Sequence, residues 1–230
     1  MAKCILLVDD EPLIIKGLKF TLEQEGFEID SAADGEEALN KFFAGHYDFI
    51  LLDVMLPKID GITVCQRIRE HSNVPIIMLT AKGEQIDKIL GLEYGADDYM
   101  TKPFNILEVK ARIKTILRRT AGSAQSNTRK TIRVHDMEIN IVNRSVTLAG
   151  TEVRLTAKEF DLLQVFVNNR GEVFSREKLL KTVWKYDYAG DARTVDVHIR
   201  RLREKIERNP AQPEFIFTKW GAGYYFTDKD

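Results

Sequence analysis

Five polar residues stand where their types and positions could together do chemistry. Asp9 and Asp10 follow the apolar run Cys4–Val8, Asp53 ends the run Phe49–Leu52, Thr80 follows Ile76–Leu79, and Lys102 follows a weaker strand at Tyr99–Thr101. Three carboxylates brought together repel one another unless a cation offsets them. Hard oxygen ligands of this kind suit Mg²⁺, with Mn²⁺ as an alternative. A carboxylate such as Asp53 can attack phosphorus and carry the product as an acyl phosphate. Lys102 and the cation would offset charge on the transferring group, and the Thr80 hydroxyl could donate to one of its oxygens. Singly, each residue has a plainer reading. The run Asp9-Asp10-Glu11-Pro12 can cap a helix, Asp53 and Thr80 can be turn or cap residues, and Lys102 can be a solvated charge.

A second constellation lies in Arg193–Arg208. Val195, Ile199, Leu202 and Ile206 recur at helical spacing and form a stripe to be buried. The opposite face carries Arg193, Val197, Arg200, Arg201, Glu204 and Arg208. Arginine can grip guanine or hold phosphate in a major groove, and Val197 could touch a thymine methyl. The plainer reading is a solvated helix face.

These residues need elements to position them. In the front half, continuous apolar runs read as buried parallel strands at Cys4–Val8, Phe49–Leu52 and Ile76–Leu79, with weaker strands at Phe27–Ala32 and Tyr99–Thr101. Helical stretches alternate with them. The first opens at Pro12 and is expected to bury Leu13, Ile14, Leu18 and Leu22. The others are Glu36–Ala44, Ile62–His71, Gln85–Tyr94 and Ile106–Arg119. Five strands alternating with five helices predict an α/β, five-stranded, parallel, doubly wound sheet. In flavodoxin-like sheets of strand order 2-1-3-4-5, ligands sit at the carboxyl ends of the strands, in the crevice between the first and third. The polar set stands at those ends.

The rear half has another rhythm: short antiparallel strands at Ile132–Ile141 and Ser145–Leu148, then helices at Ala157–Asn168, Arg176–Val183 and Arg193–Arg208. Two strands around Trp220-Gly221-Ala222-Gly223 close it. Three helices and a closing hairpin are the pattern of an α+β winged-helix domain. Between the halves, TAGSAQSNTRK is small and polar and reads as a linker. The expected organisation is residues 1–119, a linker at 120–130, and 131–230.

Charge agrees with a division of labour. The formal net charge is −1. Residues 1–119 hold 15 Lys+Arg against 20 Asp+Glu, net −5, and residues 120–230 hold 19 against 15, net +4. A phosphate-backbone partner is therefore assigned to the rear half. The two cysteines, Cys4 and Cys65, fall in apolar stretches and read as small buried thiols. With no signal peptide and no membrane-length apolar run, the expected location is the cytoplasm, without a membrane partner.

The stretches LLVDDEP, LLDVMLPKIDG, IIMLTA and GADDYMTKPF give residues 3–119 a specific resemblance to the receiver domain of two-component response regulators. The resemblance implies Asp53 as phosphoacceptor from a sensor histidine kinase. It implies Asp10 and Asp53 as direct Mg²⁺ ligands, Asp9 nearby through water, and the Met55 backbone carbonyl as a further ligand. It implies Thr80 and Lys102 as sensors of the phosphoryl group, Tyr99 as an aromatic switch, and a cis Lys102–Pro103 bond. The stretches LTAKEFDLL, REKLLKTVW, ARTVDVHIRRLREKIE and TKWGAGYYF make residues 131–228 resemble the winged-helix effector of the osmolarity and phosphate-starvation regulator (OmpR/PhoB) subfamily. That implies Trp184, Arg193, Thr194, Val197, His198, Arg200 and Arg201 at or near promoter DNA. Some relatives carry arginine where Trp220 stands, so Lys219 is the candidate cation of the wing. The loop Lys185–Asp191 would face RNA polymerase. The same subfamily implies a homodimer on phosphorylation, with Lys88 paired to Glu108, Asp98 to Arg112 and Asp97 to Arg119.

The resulting expectation is a phosphorylation-controlled transcription factor, not an enzyme. Two other readings stay open: a small-substrate enzyme such as a phosphatase on the same sheet, and a DNA binder indifferent to phosphorylation.

Overall fold

The computed structural model describes residues 2–81, 94–120, 131–184 and 193–228, with side chains described to residue 117 in the segment that ends at 120. The chain divides into two compact units, Met1–Ala121 and Gly122–Asp230.

The front unit is a parallel sheet of order β2-β1-β3-β4-β5: β1 (Cys4–Val8), β2 (Glu28–Ala32), β3 (Phe49–Asp53), β4 (Ile76–Ala81) and β5 (Asp98–Lys102). Every residue of β3 is buried, as a central strand covered on both faces requires. The helices are α1 (Pro12–Glu23), α2 (Gly35–Ala44), α3 (Gly61–His71) and α4 (Ile106–Thr120). The helix expected over 85–94 lies outside the described residues. Side-chain caps fix the starts: Asp34 Oδ1 accepts from the Glu37 N–H at 2.8 Å, and Asp60 Oδ1 from the Thr63 N–H at 2.9 Å. On one face of the sheet, Leu18 and Leu22 of α1 and Val109, Ile113 and Ile116 of α4 pack over Ile5, Leu7, Phe49, Leu51, Ile77 and Leu79.

One expectation about α1 is corrected. Leu13 is 84% exposed and Ile14 is only partly buried. At about 100° per residue, Leu13 lies roughly 140° from Leu18 and opposite Leu22, so it cannot share their face.

The rear unit opens with an antiparallel sheet of β6 (Thr131–Val134), β7 (Met137–Asn140), β8 (Ser145–Leu148) and β9 (Thr151–Val153). The single strand expected over Ile132–Ile141 is in fact a hairpin, broken at His135, whose φ is 51°. The unforeseen β9 follows a turn at Ala149 and Gly150, both with positive φ. Three helices follow, α5 (Ala157–Val167), α6 (Arg176–Trp184) and α7 (Arg193–Ile206), and then the hairpin β10 (Ile216–Lys219) with β11 (Gly223–Phe226). Val195, Ile199, Leu202 and Ile206 are buried, as their spacing predicts, in a core with Phe160, Phe166, Leu179, Trp184, Phe215 and Phe226. Gly223 has φ 140°, and a Cβ there would lie 1.9 Å from the Phe174 carbonyl oxygen. Only glycine lets the hairpin close against that segment. Among the described residues no helix is long and apolar enough to cross a membrane.

Candidate functional site

Register brings the acidic residues together. Val8 pairs with Leu52, so the residues that follow, Asp9 and Asp53, lie side by side at the sheet's carboxyl edge. Lys102 closes β5 opposite Ala81, with Thr80 opposite Thr101. Asp9 and Asp53 are almost wholly buried and Asp10 is exposed. One carboxylate oxygen from each lies within 4.8 Å of the other two. The Lys102 ammonium stands among these groups, with Nζ 2.6 Å from Asp53 Oδ2, 2.9 Å from Asp9 Oδ2 and 3.0 Å from Glu11 Oε1. Main-chain donors hold the other oxygens: the Met55 N–H donates to Asp53 Oδ1 at 3.3 Å and the Glu11 N–H to Asp9 Oδ1 at 2.9 Å.

The acceptor's backbone is equally constrained. The Gly61 N–H donates to the Val54 carbonyl at 2.9 Å, and a Cβ on Gly61 would lie 1.9 Å from the Asp53 carbonyl oxygen. Glycine is needed here for close approach, not for an unusual φ.

Burial pushes the Asp53 carboxyl above its ordinary value, and the Lys102 hydrogen bond offsets this only in part. Burial also disfavours the Lys102 ammonium, but its carboxylate partners Asp53, Asp9 and Glu11 prevail and raise its pKa. Three aspartates offset by one ammonium leave the cluster short of positive charge. Asp9 Oδ2 is buried and, apart from its ion pair with Lys102, has no hydrogen-bond partner among the described residues. The donors are all hard oxygens, so the group fits a divalent cation. Thr80 is fully buried, and its hydroxyl likewise has no hydrogen-bond partner among the described residues. Tyr99 is buried on β5. The Lys102–Pro103 peptide is cis.

Sequence reasoning passed over Glu11. It occupies the N-cap position of α1 but makes no side-chain cap bond, and reaches Lys102 instead. Its signal was its place as the third acid of a run that otherwise reads as a cap.

Four of the residues expected to pair across a dimer, Asp97, Asp98, Glu108 and Arg112, are engaged within this chain. Arg112 meets Asp98 at 2.6 Å and Glu108 at 2.5 Å. Asp97 is fully buried, accepting from Arg69 at 3.0 Å and from the Ile76 N–H at 3.0 Å. Asp97, expected to pair with Arg119, is a core residue in this conformation. Lys88 and the Arg119 side chain lie outside the described residues.

The expected DNA-binding residues fall into two groups. Arg193, Arg200 and Lys219 are exposed. Trp184, Thr194, Val197 and His198 are buried, the Trp184 ring meeting the edge of His198 at 5.1 Å. These four side chains lie behind the helix surface. Arg201 is also turned inward: its guanidinium lies 3.1 Å from Glu159 Oε1, and Lys205 lies 2.6 Å from Oε2 of the same fully buried carboxylate. Glu159 is the third residue of α5 and forms a reciprocal capping box with Thr156. The hairpin is tied to α7. Arg203 donates to the Ile216 carbonyl and the Thr218 hydroxyl, and the Tyr224 hydroxyl donates to Asp196 at 2.6 Å. At the hairpin's tip Trp220 is 92% exposed, a feature the sequence left without a role. The segment 185–191, expected to face RNA polymerase, lies outside the described residues.

Two family models match the chain: response regulator receiver domain over residues 5–114, and transcriptional regulatory protein, C terminal, over residues 150–226. The response regulator DrrB of Thermotoga maritima, an OmpR/PhoB homologue, is 35% identical, with 99% of this chain and 100% of that one covered and a TM-score of 0.52. A cysteine mutant of RitR is 29% identical, covers 98% of this chain and 99% of that one, and superposes with a TM-score of 0.74. With both halves matched, and an OmpR/PhoB homologue covered along its whole length, the chain belongs to the OmpR/PhoB family of response regulators: a receiver followed by a DNA-binding transcription-regulator domain.

Proposed function

We propose that Asp53 accepts a phosphoryl group from a sensor histidine kinase, and that the modified receiver forms a dimer that binds tandem promoter half-sites. One observation carries this reading. Asp53 ends a fully buried strand with one oxygen 2.6 Å from an ammonium and two other aspartates beside it. In the transfer, an Asp53 carboxylate oxygen forms a bond to phosphorus as the bond to the kinase imidazole nitrogen breaks, and the imidazole leaves with that electron pair. Asp9, Asp10, Asp53 and the Met55 carbonyl would hold Mg²⁺, or Mn²⁺ in its place, which when bound would supply positive charge against the phosphoryl oxygens. Lys102 supplies positive charge, and the Thr80 hydroxyl, without a partner among the described residues, is placed to donate. Occupying that hydroxyl biases the Thr80 and Tyr99 positions, and so the population of a dimer-competent receiver.

In the rear unit, Arg193 and Arg200 on α7 and Lys219 on the hairpin supply the exposed cations for DNA. Trp184, Thr194, Val197 and His198 back the helix, and Arg201 anchors it. Pairing two such units raises the effective concentration at the second half-site. The segment 185–191 is assigned to RNA polymerase. The chain is a stoichiometric acceptor of the cytoplasm, not a turnover enzyme.

The test is mass and DNA affinity with and without acetyl phosphate and Mg²⁺, for wild type and Asp53→Asn. The wild type should gain one phosphoryl mass, dimerise and bind DNA more tightly; the variant should do none of these. An adduct that forms equally in both proteins removes Asp53 from the role.

A further inference from the structure

Resting on the phosphoacceptor reading, we propose that Glu11 is a positioning residue that holds Lys102 in the unmodified site and yields when a phosphoryl group arrives. The argument is one of crowding. The Lys102 ammonium donates to Asp53 at 2.6 Å and to Glu11 at 3.0 Å, and lies 2.9 Å from Asp9 as an ion pair. Three carboxylates surround it before any phosphoryl oxygen appears, and a phosphoryl group on Asp53 competes with them for its charge.

Which carboxylate yields follows from burial. The Asp9 side chain is 1% exposed and that of Asp53 is 5%, whereas that of Glu11 is 59% exposed. Releasing a buried carboxylate leaves it unsolvated, and releasing an exposed one only returns it to water. Asp9 is further fixed by the Glu11 N–H, and Asp53 is the acceptor itself. Glu11 is thus the partner most cheaply exchanged for phosphate. Its side chain serves no helix cap, so the contact with Lys102 is the one it is seen to make. Glu11 also adds negative charge beside a group that must admit an anionic donor and a cation. It should slow the first and favour the second.

The experiment follows both effects in the full chain, with acetyl phosphate as donor and Mg²⁺ binding read separately by calorimetry. Glu11→Gln should take up phosphoryl groups about threefold faster at saturating Mg²⁺, and the gain should shrink in high salt, as expected for a screened, exposed pair. Its Mg²⁺ affinity should fall about twofold. Glu11→Asp keeps the charge on a shorter stem, so it should match the wild type in Mg²⁺ affinity while still phosphorylating faster. Two variants that phosphorylate at the wild-type rate, or more slowly, would overturn the inference and leave the phosphoacceptor role of Asp53 standing. A wild type that takes up no phosphoryl group would instead overturn the proposed function, and this inference with it.

Discussion

The two units handle buried charge in opposite ways. At the front, three carboxylates share one ammonium: Asp9, Asp53 and Glu11 around Lys102. At the rear, one carboxylate holds two cations: Glu159 between Arg201 and Lys205. The front cluster is short of positive charge and sits at the carboxyl edge of an open sheet. The rear cluster has cations to spare, and its carboxylate has no exposed surface. A binding site and a strut can therefore be built from the same side chains, and the sign of the charge excess together with burial tells them apart. Carboxylates short of cations at a crevice are arranged to receive something, while a buried carboxylate with a cation on each oxygen holds elements in place.

The largest effect that would break this contrast is at Glu159. Replacing it with Gln keeps the shape but leaves two cations facing a neutral amide, and removing one partner of a buried ion pair costs about 3 kcal/mol or more. Chemical denaturation should show that loss in the rear unit alone, with the front unit's transition unmoved. The pH dependence has a definite sign. Burial pushes the Glu159 carboxyl up, but Arg201 and Lys205 outweigh it and hold the folded pKa below the ordinary 4.5. The folded state therefore binds that proton less readily than the unfolded chain. The stabilisation is complete above about pH 4.5 and is lost as pH falls through the folded pKa. In Glu159→Gln this acid-side loss should vanish from the rear transition. A variant as stable as the wild type would mean the Glu159 cluster is no strut.

The second contrast lies between neighbours. Arg200 and Arg201 differ by one position, and the sequence assigned both to DNA. The Arg200 side chain is 65% exposed, with its Nε 3.0 Å from Glu204, whereas that of Arg201 is 11% exposed against Glu159. Arg200→Ala should weaken DNA binding and lower the salt slope by about one, with stability nearly unchanged. Arg201→Ala should destabilise the rear unit by about 2 kcal/mol, since Lys205 still pairs with Glu159. Paired measurements of melting and of DNA affinity across salt would separate them. Equal loss of affinity with no loss of stability for both would return Arg201 to the DNA surface.

The same pair shows where sequence reading stops. In the front unit the chemistry was legible because strand ends are discrete. Apolar runs such as Phe49–Leu52 terminate abruptly, and the next polar residue must stand at the sheet edge. The register then brought Asp9, Asp10, Asp53 and Lys102 together as the pattern required. On α7 the apolar stripe Val195, Ile199, Leu202 and Ile206 was equally legible. Its polar face was not. A helical wheel gives a direction about the axis, but what lies in that direction depends on α5 and the hairpin, which come from distant sequence. Thus Val197 and His198 became buried, and Arg201 met a carboxylate 42 positions earlier. Glu11 escaped for the converse reason, because its local role as a cap was the obvious one. Asp97 escaped because its partner, Arg69, comes from α3, 28 positions earlier.

The smallest expected effect sharpens the comparison by holding the count of partners fixed and changing burial. Glu25, just beyond the end of α1, also holds two cations, Lys110 and Lys114 of α4, with Lys110 at 2.5 Å. These hydrogen bonds lower its carboxyl to about 2 from the ordinary 4.5. The stoichiometry matches Glu159, yet this carboxylate and both lysines reach solvent, where salt and hydration weaken such a cluster. A carbon-detected titration of Glu25 should give a midpoint near 2 at low salt, rising with ionic strength, and moving toward 4.5 in the Lys110→Ala/Lys114→Ala double variant. Its stabilisation is present above pH 4.5 and fades as pH falls toward 2, but the double variant should melt almost as the wild type does. If it instead lost as much stability as Glu159→Gln, burial would not be what separates a strut from a surface pair, and the contrast between the two units would need another cause.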